Sequence, residues 1–179
     1  MILAAIAVFA TVSADDGNNG NGTTKGAPPV QVSDSGIAAK GSQAPDFDLA
    51  ALRGRGRVKL SDYAGKPLIV NFWASYCIPC RKEFPTFAAM QKKHRADGLE
   101  IVGITFKDLP DDARRFAKEH GATWTLAEGG DSDATGKAYG IRAIPQTFFI
   151  DRHGTIVSRF YGAPPNDRFE AEVQKILAS

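Results

Sequence analysis

The sequence predicts an α/β domain with a mixed central β-sheet flanked by helices and preceded by an N-terminal extension. Three observations carry this. Leu68–Trp73 (LIVNFW) and Leu99–Phe106 (LEIVGITF) are nearly continuous apolar runs rich in β-branched and aromatic residues, the pattern of strands buried on both faces. Between them, Arg81–Arg95 sets Phe84, Phe87, Ala88 and Met90 at helical spacing, and two strands joined through one helix run parallel with a right-handed crossover. Later, Thr147–Ile150 and Thr155–Phe160 flank Asp151-Arg152-His153-Gly154, a hairpin turn that adds antiparallel strands.

Taken in order, residues 1–14 (MILAAIAVFATVSA) carry no charge and are shorter than the roughly 18–20 residues that span a bilayer. Val12-Ser13-Ala14 ends in small residues, as an export cleavage site does, although a basic n-region is missing. An export signal or anchor remnant is expected there. Residues 15–41 are rich in Gly, Asn, Ser, Thr and Pro and hold no aromatic, so they bury too little to offset their ordering entropy and read as a flexible linker. The folded domain is expected over 42–179.

Within it, Val58–Leu60 reads as a short strand before a turn at Tyr63–Lys66, and Leu68–Trp73 as the first buried strand. The helix of Arg81–Arg95 follows, with a kink expected at Pro85. After the strand Leu99–Phe106, Asp111–His120 is a short helix whose first-turn aspartates suit its positive end, with Gly121 as its stop. Trp124–Leu126 is a further short strand. Phe169–Leu177 closes the chain as an amphipathic helix, with Phe169, Val173, Ile176 and Leu177 on one face. The order is β-α-β-α-β-β-α.

Composition narrows the function. The 179 residues are 43% hydrophobic and 23% charged with a net charge of +2, which suits a globular protein and excludes a fibrous or wholly disordered one. There is no long basic stripe, so no nucleic-acid partner is expected. Arg53-Gly54-Arg55-Gly56-Arg57 lacks interleaved aromatics and reads as a solvated turn. Asp131-Ser132-Asp133-Ala134-Thr135-Gly136 begins like a calcium loop, but its twelfth position is Arg142 rather than Glu, so it reads as a surface loop. His94, His120 and His153 are scattered and read as solvated. Two cysteines without nearby His ligands do not make a zinc site, and no metal or other cofactor is expected.

Those cysteines, Cys77 and Cys80, are the informative feature. They stand three positions apart where the first buried strand gives way to a helix, a spacing that can close a small disulfide ring. Cys77 falls near the helix N-cap, where backbone N–H groups and the dipole favour an anion. Thiol pKa values drop there from about 8.5 to about 3.5–7.5. Arg81 and Lys82 add positive charge. Cys77 is thus expected to attack, and the deeper Cys80 to resolve the mixed disulfide.

The stretch from Asn71 to Pro85 (NFWASYCIPCRKEFP) resembles the active site of thioredoxin-like proteins and is most similar to the exported TlpA/ResA/CcmG (DsbE) branch. Ala44-Pro45-Asp46-Phe47, Ile101-Val102-Gly103 and Ile144-Pro145-Gln146-Thr147-Phe148-Phe149-Ile150-Asp151 extend the resemblance over about 42–175. It implies a thioredoxin fold and dithiol–disulfide exchange. It also implies that Pro145 is the family's cis-proline and that Ile144 beside it pairs with a substrate strand. Trp73, Tyr76 and Pro79 are expected to join Ile144 and Pro145 at the substrate surface. Glu83, one turn beyond Cys80, matches a glutamate of the ResA-like branch; a partly buried carboxylate there has a raised pKa and exchanges protons with Cys80. Asn71 stands where cytosolic thioredoxins carry a buried Asp, and Tyr76 where many relatives have Trp.

The resemblance implies an extracytoplasmic, monomeric reductant of protein disulfides, with apocytochrome c as a client and a membrane thiol–disulfide carrier as electron donor. The alternative is a disulfide-forming oxidase, since a stabilised thiolate favours the reduced form. A peroxiredoxin-like peroxidase is disfavoured because Ala74 stands where that chemistry needs Thr or Ser three residues before the cysteine. A non-catalytic binding module is disfavoured by the intact Cys77/Cys80 pair and Pro145.

Overall fold

The computed structural model describes residues 38–129 and 134–179. The regions assigned to an export signal and to most of the linker, with 131–133 of the calcium-like stretch, lie outside the described residues. The elements are β1 (Asp48–Ala50), β2 (Arg57–Lys59), a 3₁₀ turn (Leu60–Tyr63), β3 (Leu68–Trp73), α1 (Ile78–His94), β4 (Glu100–Thr105), α2 (Pro110–Glu119), β5 (Thr125–Ala127), α3 (Ala134–Ala138), β6 (Gln146–Ile150), β7 (Ile156–Tyr161) and α4 (Asn166–Ala178).

The main sheet has the order β5-β4-β3-β6-β7. β3 and β4 pair in parallel, as do β4 and β5, whereas β6 pairs antiparallel with both β3 and β7. This is the mixed sheet that the apolar runs predict, with β3 at its centre. Every residue of β3 is buried. Alternation sends Ile69 and Trp73 to one face and Leu68, Val70 and Phe72 to the other, so the sheet separates two cores. The first core is aromatic: Trp73, Phe84, Phe116 and Trp124 stack edge to face or tilted, with centroids 5.0–5.5 Å apart. Phe87 and Phe169 join α1 to α4 at 5.2 Å. Gly103 lets these rings close on β4, for a Cβ there would lie 2.7 Å from Leu126 Cδ2 and 2.9 Å from Trp73 Nε1.

The late hairpin turns as expected. Asp151 accepts the N–H of His153 at 2.8 Å and that of Thr155 at 2.9 Å through one carboxylate oxygen, and Gly154 takes φ +79, a value that favours glycine. Pro85 lies inside α1.

Four expectations need correction. The short strand is Arg57–Lys59, and Leu60 already belongs to the 3₁₀ turn. α1 starts at Ile78 rather than Arg81, because Pro79 is tolerated in the first turn, where no intrahelical N–H bond is lost. Ala134–Gly136 lie in α3, with Thr135 and Gly136 buried, rather than in a surface loop. His94 is 4% exposed, not solvated. Its Nδ1 meets Asp97 at 2.9 Å and its Nε2 meets Glu170 of α4 at 3.0 Å, so two carboxylates replace the water it gives up.

Candidate active site

β3 delivers the chain to the site. Trp73 O accepts the N–H of Phe106 at 2.8 Å, which continues the β3–β4 ladder to the end of the sheet. Ala74-Ser75-Tyr76 then turns the chain into α1, closed by Cys77 N–H to Ala74 O at 3.2 Å. Cys77 is the N-cap of α1, with extended backbone, and its sulfur accepts the N–H of Cys80 at 3.2 Å. An N-cap side chain normally offers oxygen to these free N–H groups; here sulfur takes that place. Cys77 and Cys80 are joined in a disulfide, their Cα atoms 5.3 Å apart.

The two sulfurs are unequally placed. Cys80 is 0% exposed and Cys77 6%, so any partner reaches the pair from the Cys77 side. Tyr76 and Ile78 flank Cys77 and are 62% and 72% exposed, and the Tyr76 hydroxyl donates to Phe106 O at 3.3 Å. Pro79, Arg81 and Lys82 are exposed on the first turns of α1, and the Arg81 guanidinium lies 5.8 Å from the Phe116 ring centre.

Behind the disulfide lies Glu83, 3% exposed. Among the described residues, neither carboxylate oxygen has a hydrogen-bond partner. Burial pushes its carboxyl up to about 8, and the nearby Asn71 amide only tempers that rise. Asn71 shares the sheet face of Ile69 and Trp73, and its amide is directed to Thr147 Oγ1 at 3.0 Å and Gln146 O at 3.5 Å. A carboxyl this dry is held as the neutral acid through neutral pH.

The Ile144–Pro145 peptide bond is cis. Phe72 pairs with Gln146 in register, which sets Pro145 just beyond the β3 end from which the cysteine loop departs. Ile144 is half-buried and packs against the core cluster that contains Cys77 and Cys80. The structure thus brings Cys77, Cys80, Glu83, Tyr76, Pro79, Ile144 and Pro145 to one end of the sheet. Trp73 is the exception: it is 0% exposed, because its position on β3 aims the indole inward against Phe84 and Phe116. It supports the loop from within and offers no surface to a substrate.

Two groups had no signal in the sequence. Asp108, from the β4–α2 loop, receives both the backbone N–H and the hydroxyl of Ser75. Gln146 donates to Ala143 O at 2.6 Å and accepts from Arg159, which also donates to Gly140 O at 3.0 Å. That relay holds the segment before Pro145. Both depend on partners brought together only by the fold.

Residues 40–159 match the AhpC/TSA family. The thiol:disulfide interchange protein HelX of Rhodobacter capsulatus is 34% identical, over 79% of this chain and 78% of its own. The thiol-disulfide oxidoreductase ResA of Geobacillus thermodenitrificans is 31% identical, over 77% and 78%. A Chlorobium tepidum structure assigned as thiol:disulfide interchange protein DsbE superposes with a TM-score of 0.72 at 35% identity, covering 78% of this chain and 98% of that one. With its cysteine pair at a helix N-terminus beside a cis-proline, the chain belongs to the AhpC/TSA family and, within it, to the thiol–disulfide oxidoreductases of the CcmG/ResA/TlpA branch.

Proposed function

We propose that this oxidoreductase works as a reductant of protein disulfides outside the cytoplasm, with the cysteines of apocytochrome c before haem attachment as a client. The observation that carries the reading is the arrangement on one helix: Cys77 at the cap, Cys80 buried behind it, and Glu83 buried one turn further. The HelX and DsbE relatives, both thiol:disulfide interchange proteins, support the exchange chemistry.

In the reduced protein the Cys77 thiolate attacks one sulfur of the client disulfide. The other client sulfur leaves and takes a proton. Cys80 then loses its proton, attacks Cys77 Sγ and releases the second client sulfur as a thiol. The client gains two electrons and two protons, and the Cys77–Cys80 disulfide forms. A thiol titrates at about 8.5 in the absence of perturbation, and Glu83 is raised to about 8. Glu83 thus titrates close to neutral pH and, one turn from Cys80, is the group placed to exchange a proton with it. Exposed Tyr76, Ile78 and Pro79 with half-buried Ile144 form the client surface, and buried Pro145 sets the backbone of Ile144 from beneath. A membrane thiol–disulfide carrier resets the pair, the protein acts as a monomer, and residues 1–14 direct export.

The experiment is reduction of a disulfide-closed Cys-x-x-Cys-His peptide by the dithiol form. The wild type is expected to reduce it and Cys77→Ser to fail. Reduction at the same rate by both proteins would refute the reading.

A further inference from the structure

The redox loop is held from outside its own helix. Asp108 receives the Ser75 N–H on one carboxylate oxygen and the Ser75 hydroxyl, at 2.8 Å, on the other. The second oxygen also accepts the N–H of Leu109 at 2.9 Å. The Leu109 bond secures the entry to α2, but the two Ser75 bonds do nothing for α2. They fasten the residue two places before Cys77, in the loop that must present the sulfur. The residue before Asp108 is in an uncommon state: Lys107 has φ 51, the one positive φ at a non-glycine position among the described residues. Side chains with a Cβ avoid that region. It is populated here where the chain leaves β4 and swings the carboxylate under the loop.

We propose that Asp108 is a positioning residue for disulfide exchange, fixing through Ser75 the loop that presents Cys77. It deepens the reading of Cys77 as the attacking sulfur and rests on it. Asp108 also brings a negative charge to this loop, and Tyr76 already registers it: burial and then Asp108 raise its phenol. The titratable groups on the elements that carry the loop and Asp108 are Cys80, Arg81, Lys82 and buried Glu83 of α1, Lys107 before Asp108, and Asp111 and Asp112 in the first turn of α2.

The test is the reaction of the fully reduced protein with 5,5′-dithiobis(2-nitrobenzoate) across pH, read as a plateau rate and a titration midpoint, with a urea midpoint for each variant. Asp108→Ala is expected to lower the plateau about tenfold and Ser75→Ala about threefold, for small displacements of a reacting atom cost rate steeply. The double variant should be no slower than Asp108→Ala, because both changes break the same link. Asp108→Asn should also lower the midpoint pH, since the negative charge bound to the cysteine loop is gone, whereas Ser75→Ala should leave it unmoved. Should the aspartate variants fold poorly, Ser75→Ala still decides through its plateau. A plateau within twofold of wild type in Asp108→Ala, additive losses in the double variant, or an unmoved midpoint in Asp108→Asn would each overturn the proposal. Wild type no more reactive than Cys77→Ser would instead overturn the reading beneath it.

Discussion

The sulfur of Cys77 accepts the backbone N–H of Cys80 at 3.2 Å, so the atom that caps α1 is also the more exposed of the two sulfurs. The same N–H, and the free N–H groups of the first turn, stabilise a thiolate once the disulfide opens. Cys77 is therefore expected to titrate well below a free thiol, at least one unit under about 8.5. Alkylation by iodoacetamide against pH, compared in Cys77→Ser and Cys80→Ser, measures this. A single titration near 8.5 would reject it.

Glu83 makes stability depend on pH with a defined sign. Its carboxyl is raised from 4.5 to about 8 in the folded protein. Between those values folding takes up a proton, so stability falls as pH rises through that window and is unaffected below it. Glu83→Gln removes the titrating group. The variant is expected to exceed wild type in stability by about 5 kcal/mol at pH 9 and to match it near pH 4. Urea unfolding at the two pH values checks this, and the same variant should flatten the pH dependence of client release.

Glu170 ties the two helices that flank the first core. Lys93, Gln174 and His94 all reach its carboxylate, and the Lys93 bond is first among the causes that hold its carboxyl down at about 2. The stability it confers is present above pH 4.5 and lost as pH falls toward 2. Glu170→Ala is expected to cost about 1–2 kcal/mol at pH 7, mostly by leaving buried His94 with one partner instead of two. Thermal unfolding measures it; exchange rates should stay within twofold of wild type.

Gly103 lies where a side chain has no room. Gly103→Ala would press a methyl group against Leu126 and the buried Trp73 indole, and overpacking of this kind costs about 1–3 kcal/mol. Trp73 ends the strand that leads to Cys77, so the variant should also slow exchange. Unfolding and exchange measured together check the link; an unaffected unfolding midpoint would contradict it.

Much of the fold and the site is legible in the amino-acid sequence. Leu68–Trp73 is a strand from its first residue to its last because burial on both faces leaves a continuous apolar run that no neighbour needs to explain. Cys77, Cys80 and Pro145 could be read because their spacing and neighbours are local. β1 leaves no signal of its own because its three residues alternate in exposure and exist as a strand only through pairing with β2. α3 is one turn of Ala-Thr-Gly-Lys-Ala, weak in propensity. Its buried Thr135 and Gly136 and the adjacent buried Tyr139 show that tertiary packing holds it. The motif does not say which way a strand residue faces, and so it does not reveal that Trp73 points inward. Burial of His94 depends on Glu170, 76 positions away, and the Asp108–Ser75 link spans 33; neither leaves a periodic trace.

The direction of electron flow is the claim on which the functional account turns, and the reduction potential of the Cys77–Cys80 pair, measured by equilibration with glutathione buffers, tests it most directly. A reductant requires a value below about −200 mV, in the range of glutaredoxins and thioredoxin. A value near −120 mV, the range of a disulfide-forming oxidase, would contradict it.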